Sequence, residues 1–135
     1  MILVDTSILV NYFKGIETPK TRVFETILDQ GLPYGISPYT YQEILQGAKD
    51  EREYRLLKEY LDTQHFYFLP PSLETFERAA RLYFDLRRKG ITPRGAIDIF
   101  IALTAIHNNL SLLHDDRDFD AIASAVKSLK IVAMI

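Results

Sequence analysis

Five short apolar runs, at 1–4, 34–37, 65–69, 111–113 and 131–133, alternate with stretches whose apolar residues recur at helical spacing. The runs are too brief to be helices, and a period near 3.6 between them does not suit a strand. Strand–helix alternation of this kind folds as a mainly parallel sheet with helices on both faces. The expected class is therefore α/β, a three-layer α/β/α sandwich around a central, mainly parallel sheet of four to five strands. With 135 residues and neither an internal repeat nor a Pro/Gly/Ser-rich linker, the chain reads as a single domain over 1–135.

Local punctuation places the helices. Thr6 and Ser7 offer cap chemistry for a helix to about Phe13, ended by Gly15. Thr18-Pro19 and Ser37-Pro38 each set a cap residue before a proline at the first helical position. The first pair opens a helix with Val23, Phe24, Ile27 and Leu28 on one face, stopped at Gly31; the second runs to about Gln46 and Gly47. Asp50 and Glu53 have capping-box spacing for a helix carrying Tyr54, Leu57 and Leu61. Ser72 opens the next, with Phe76, Ala79, Ala80, Tyr83 and Leu86 facing the core, as far as Gly90. Thr92-Pro93 starts a helix to about Asn108, and a short one covers about 119–126.

Four carboxylates sit where apolar elements should carry none. Asp5 follows the first run, Glu43 lies within 39–45, Asp98 within 97–103, and Asp116 follows Leu112-Leu113. A carboxylate among buried apolar groups is costly without a compensating cation. Asp98 is the hardest to read as a surface charge, because Ile97, Ile99, Phe100, Ile101, Ala102, Leu103 and Ala105 make its helix apolar nearly all round. Ligands of parallel sheets bind beyond the carboxyl ends of the strands. Asp5 and Asp116 directly follow strands, while Glu43 and Asp98 fall in the second turn of helices whose N-termini point to that edge. Convergent hard oxygen donors suit Mg²⁺ or Mn²⁺, an ion that polarises a phosphoryl oxygen and neutralises a leaving oxygen. The ordinary readings stand beside this one: Asp5 as a helix cap, Glu43 facing water, and Asp115, Asp116, Asp118 and Asp120 as a polar turn.

Composition removes other classes. The absence of cysteine excludes disulfides and thiolate metal sites and fits a reducing, cytoplasmic setting. No apolar run reaches about 18 residues, and the start lacks a charged region followed by an apolar one, so neither a membrane span nor a signal peptide is expected. His65, His107 and His114 show no metal-ligand spacing. A net charge of −2 supplies no global basic field, so a polyanion would be held by local groups. Lys14 and Arg94, near the expected mouth, are the phosphate-contact candidates. Arg87-Arg88-Lys89 complements a helix C-terminus, and Lys49, Arg52, Arg55 and Lys58 read as a solvated face among acids.

The first acid opens Asp5-Thr6-Ser7-Ile8-Leu9-Val10-Asn11-Tyr12-Phe13-Lys14-Gly15, and the second lies in Ser37-x-x-Thr40-x-x-Glu43-Ile44-x-x-Gly47. The third begins Asp98-x-x-Ile101-Ala102-x-x-Ala105, and the fourth lies in Leu112-Leu113-His114-Asp115-Asp116-Arg117-Asp118-Phe119. Taken in order, these blocks span essentially the whole chain. They resemble the PIN-domain ribonucleases, and most of all the VapC-type toxins of bacterial and archaeal toxin–antitoxin pairs. The resemblance implies that Asp5, Glu43, Asp98 and Asp116 bind Mg²⁺ or Mn²⁺, with Thr6 and Asp118 in support. It further implies metal-assisted hydrolysis of single-stranded or looped RNA. It also implies a homodimer and a VapB-type antitoxin whose C-terminal segment crosses the acidic site. Tyr12, Phe13, Tyr39, Tyr41, Tyr54 and Tyr60 suit a groove for such a partner. His114 departs from the family, which often has a small hydroxyl or amide residue there. Two other classes compete. A non-catalytic PIN-like module gripping RNA or protein would be expected to lose at least one acid, and a haloacid-dehalogenase-like phosphatase needs an Asp where this chain has Ser7.

Overall fold

The computed structural model describes residues 1–133. Its four strands are β1 (Ile2–Val4), β2 (Tyr34–Gly35), β3 (Ser111–Leu113) and β4 (Lys130–Ile131). They form one parallel sheet in the order β2-β1-β3-β4. The central pair is in the register Ile2–Ser111, Leu3–Leu112 and Val4–Leu113. Successive strand side chains point to opposite faces, and this divides the interior in two. Leu3 and Leu112 face one core, Val4 and Leu113 the other. Both faces are covered, which is why these strands carry no polar alternation.

Each face has its own helices. On the Leu3 side lie α5 (Leu73–Arg88), α6 (Ala96–His107) and α7 (Arg117–Ala125), contributing Leu86, Ile99, Ala102, Phe119 and Ile122. On the Val4 side lie α1 (Thr6–Phe13), α2 (Pro19–Asp29), α3 (Pro38–Gln46) and α4 (Glu51–Leu61), contributing Ile8, Leu9, Phe24, Ile27, Ile44 and Leu61. The three-layer α/β/α arrangement is the one the sequence implies. Side-chain oxygens of Asp5, Thr18, Ser37, Asp50 and Asp116 cap five of the helices by accepting backbone N–H bonds. Ser72 stands at the start of α5 without such a bond. Among the described residues, no helix is long and apolar enough to cross a membrane.

Four boundaries differ from the sequence reading. The run at 65–69 is not a strand: it meets the sheet at a single parallel bridge between Ile36 and Phe66. The Ile36 N–H donates to the His65 carbonyl and the Tyr67 N–H to the Ile36 carbonyl, each at 2.9 Å. Beyond that bridge Ser37 turns away to cap α3, and Pro70-Pro71 offers no donors to continue a ladder. The approach is close, since a Cβ on Gly35 would lie 2.5 Å from the Tyr67 ring and 2.8 Å from the His65 carbonyl. Helix α6 begins at Ala96, not at 92–93, because Gly95 holds an extended N-cap conformation. Asp98 therefore lies in the first turn, not the second. Helix α7 begins at Arg117, with Asp116 as its cap, ahead of the expected 119. The last strand pairs at Lys130 and Ile131 instead of 131–133, in register with Ser111 and Leu112.

Candidate metal centre

The strands β1 and β3 end side by side, and the chain leaves both at the same edge. There the Asp5 N–H donates to the Leu113 carbonyl at 2.9 Å, so the first acid is anchored to the strand that precedes the last. Asp5 is 4% exposed. Its Oδ2 accepts from the Ser7 N–H at 3.1 Å and the Ser7 hydroxyl at 2.6 Å. The Ser7 Oγ in turn accepts from the Asp115 N–H at 2.9 Å. One hydroxyl thus ties the β1–α1 junction to the loop after β3. Burial pushes the Asp5 carboxyl up to about 6, against the Ser7 hydrogen bonds that favour its charged form.

Glu43 comes from α3. The Thr6 hydroxyl donates to its Oε1 at 2.7 Å, and the Thr40 hydroxyl lies 3.1 Å from the Thr6 oxygen. Asp98 rises from the first turn of α6. Burial, and then the charges of Asp5, Asp116, Asp118 and Glu43, push its carboxyl up to about 7. Five carboxylates from four separate parts of the chain therefore share one field. Carboxylate oxygens of Asp98, Asp116 and Asp118 lie within 4.8 Å of one another, the one such acidic group among the described residues. Asp5 and Glu43 stand outside that tight trio. Asp118, expected as a supporting residue, stands inside it.

Two further residues shape the trio. Arg94 Nη2 donates to both oxygens of Asp116 at 3.0 and 2.9 Å, and its Nε donates to Asp118 Oδ2 at 3.0 Å. His114 is buried beneath the loop, and its Nδ1 accepts from the Asp116 N–H at 3.1 Å. The proton therefore resides on Nε2, which faces Asp120 Oδ1 at 3.3 Å without hydrogen-bond geometry. Burial holds the His114 imidazole below its usual range. The buried His114 ring, 5.2 Å from that of Phe119, supports the loop from below. Sequence reasoning placed Arg94 near the mouth but missed its ion pairs, and it missed the bridging role of Ser7. Serine two residues after an aspartate is the spacing of a local side-chain turn, and that signal was available.

The remaining candidates lie elsewhere. His107 Nδ1 is 3.1 Å from Arg78 and His65 packs on Tyr67. Lys49 pairs with Glu53 and Lys58 with Asp62, the solvated face expected of α4. Arg87 and Arg88 lie over the rings of Tyr83 and Phe84. A groove of about 790 Å³ runs between α1, α3 and α4, with Glu43 and Lys14 in its wall. Of the six aromatic residues expected to suit a partner, Phe13 and Tyr60 line it, in edge contact at 5.0 Å. Tyr39 instead stacks on Phe100, Tyr12 meets Phe24 edge-on, and Tyr41 donates to Asp62.

An all-oxygen set with more carboxylates than cations fits a hard divalent ion, and Asp98, Asp116 and Asp118 are the residues close enough to share one. Without that ion the mouth is acid-stabilised. Asp5 at about 6 and Asp98 at about 7 both stand above their ordinary 3.8. Between those limits the folded chain holds more protons than the unfolded one, so stability is complete at the acid end and falls as pH rises through 6 to 7. The melting temperature in EDTA is expected to decline from pH 5 to pH 8, and to decline less in Asp98→Asn. Parallel curves for the two proteins would contradict the coupling at Asp98.

A parallel α/β/α sandwich with a carboxylate mouth at the carboxyl edge of its central strands defines the class of this protein. The PIN domain model matches residues 2–125, and the chain belongs to the PIN-domain family. Ribonuclease VapC11 of Mycobacterium tuberculosis is 31% identical over 124 residues, covering 91% of this chain and 92% of the relative. The VapC ribonuclease Mb1587 of Mycobacterium bovis matches with the same identity and coverage. Among solved structures, VapBC2 from Rickettsia felis, bound to a DNA fragment from its promoter, aligns with a TM-score of 0.74 at 20% identity, covering 98% of both chains. VapBC-1 from nontypeable Haemophilus influenzae aligns at 0.70 and 23% identity, covering 99% of this chain and 98% of that one. These two likenesses concern the fold.

Proposed function

We propose that this chain is the toxin of a toxin–antitoxin pair, an endoribonuclease that hydrolyses RNA phosphodiesters with Mg²⁺ or Mn²⁺. The observation that carries the reading is the meeting of Asp98, Asp116 and Asp118 in a family whose relatives here are ribonucleases. Asp98, Asp116 and Asp118 hold the ion, and Asp5 and Glu43 complete the acidic mouth. A bound divalent cation supplies polarisation of a phosphoryl oxygen and stabilises charge on the leaving oxygen. The chain's own groups orient and restrain. Thr6 fixes the rotamer of Glu43, and Ser7 fixes that of Asp5. Asp5 caps α1, Asp116 caps α7 and Asp98 lies in the first turn of α6, so three helix N-termini favour a phosphate at this edge.

The groove along α1, α3 and α4 is the seat we assign to the antitoxin segment, since it leads from apolar Phe13 and Leu57 to Glu43. The proposed homodimer uses the other side. Phe76 and Phe84 remain exposed on α5, beside a groove of about 440 Å³ against α6.

The test is cleavage of a total-RNA and tRNA pool by purified wild type and Asp5→Asn, with Mg²⁺, Mn²⁺ or EDTA. Discrete cuts that need metal and vanish in the variant are expected. Intact RNA under every condition, with folding verified, would overturn the nuclease in favour of a module that only grips RNA or protein.

A further inference from the structure

Arg94 sits at the mouth with its side chain 75% exposed, against 22% and 26% for Asp116 and Asp118. All three of its hydrogen bonds go to these two acids. Asp98, the third member of the trio, has no ion pair among the described residues. We infer that Arg94 is a built-in counter-ion, which offsets half of the charge of Asp116 and Asp118 in the metal-free protein and is displaced when a divalent cation loads between the three aspartates. The inference rests on the reading of this mouth as a metal centre.

The direction of exchange follows from what holds each partner. Asp116 is fixed twice, as the cap that accepts from the Asp118 N–H at 3.0 Å and through its own N–H on buried His114. The carboxylates therefore stay. The guanidinium is attached to the site only by its charge-assisted bonds, in contact with water where such pairs are weak. Gly95 follows it in the chain, and a Cβ there would meet nothing within 4 Å, so there is open space beside Arg94. A cation held by Asp116 and Asp118 would compete for the oxygens that Arg94 now occupies and would repel a positive group placed so close. Asp98, without an ion pair among the described residues, would be the carboxylate of the trio open to a cation before Arg94 moves. The competing account is that Arg94 merely staples residues 91–95 to α7.

Calorimetric titration of the full chain with Mn²⁺ after EDTA treatment separates the two accounts. Arg94→Ala is expected to bind Mn²⁺ roughly fivefold tighter than wild type, the scale of losing two exposed pairs, and to gain more in melting temperature when Mn²⁺ is added. Arg94→Lys, which keeps the charge but not the fork, is expected to fall between them. A staple predicts a lower melting temperature with unchanged Mn²⁺ affinity, and that result would overturn the inference. Asp98→Asn is the control for the underlying reading: wild-type Mn²⁺ affinity in that protein would remove the metal centre itself.

Discussion

Purified Asp98→Asn protein is expected to lose metal-dependent RNA cleavage by about a thousandfold, equivalent to about 4 kcal/mol of barrier. The substitution preserves shape and removes one of the three charges that approach within 4.8 Å. It leaves the fold whole, because Asp98 caps no helix and its burial already penalises the ionised form. In EDTA at pH 8 the variant should melt above wild type, since the uncompensated charge is gone. The two measurements belong together. Lost cleavage with raised metal-free stability identifies a group retained for chemistry at a cost to the fold. Full activity in metal-replete Asp98→Asn would remove Asp98 from the site.

Leu112→Ala is expected to destabilise the protein by about 2–5 kcal/mol, a large share of the roughly 5–15 kcal/mol that holds a domain together. Leu112 is fully buried at the middle of β3, opposite Leu3 on one side and Ile131 on the other. It packs in the same core as Ile99, Ala102, Phe119 and Ile122. The cavity would open directly beneath the strand that delivers His114 and Asp116 to the mouth. A lowered denaturant midpoint with an unchanged slope is the expected signature. A loss below about 1 kcal/mol would mean that α6 and α7 settle into the space.

Much of this architecture is legible before any coordinates. The caps at Thr18, Ser37 and Asp50 mark three helix starts, because a short polar side chain before an amphipathic run has few other uses. The apolar β1 and β3 announce a sheet covered on both faces. What misleads is pairing. The 65–69 run has strand composition, yet a ladder needs a partner of matching length, and β2 is only Tyr34–Gly35 before Ser37 turns into α3. At the site, the four acids stand out because they interrupt apolar elements. The inclusion of Asp118 in the trio is hidden, since it depends on α7 starting at Arg117. The grip of Arg94 is hidden for a related reason: its reach depends on the extended Gly95 that delays α6.

The central strands β1 and β3 come from opposite ends of the described chain, and Ile2 lies beside Ser111. Such a pairing closes late, after the entropy of a long loop has been overcome. During synthesis, a ribosome-tethered chain holding Asp5, Glu43 and Asp98 still lacks the strand that seats Asp5 and the loop that carries Asp116 and Asp118. A chain that stops short of residue 111 therefore has no acidic mouth, which exists only once β3 and the loop behind it have joined β1.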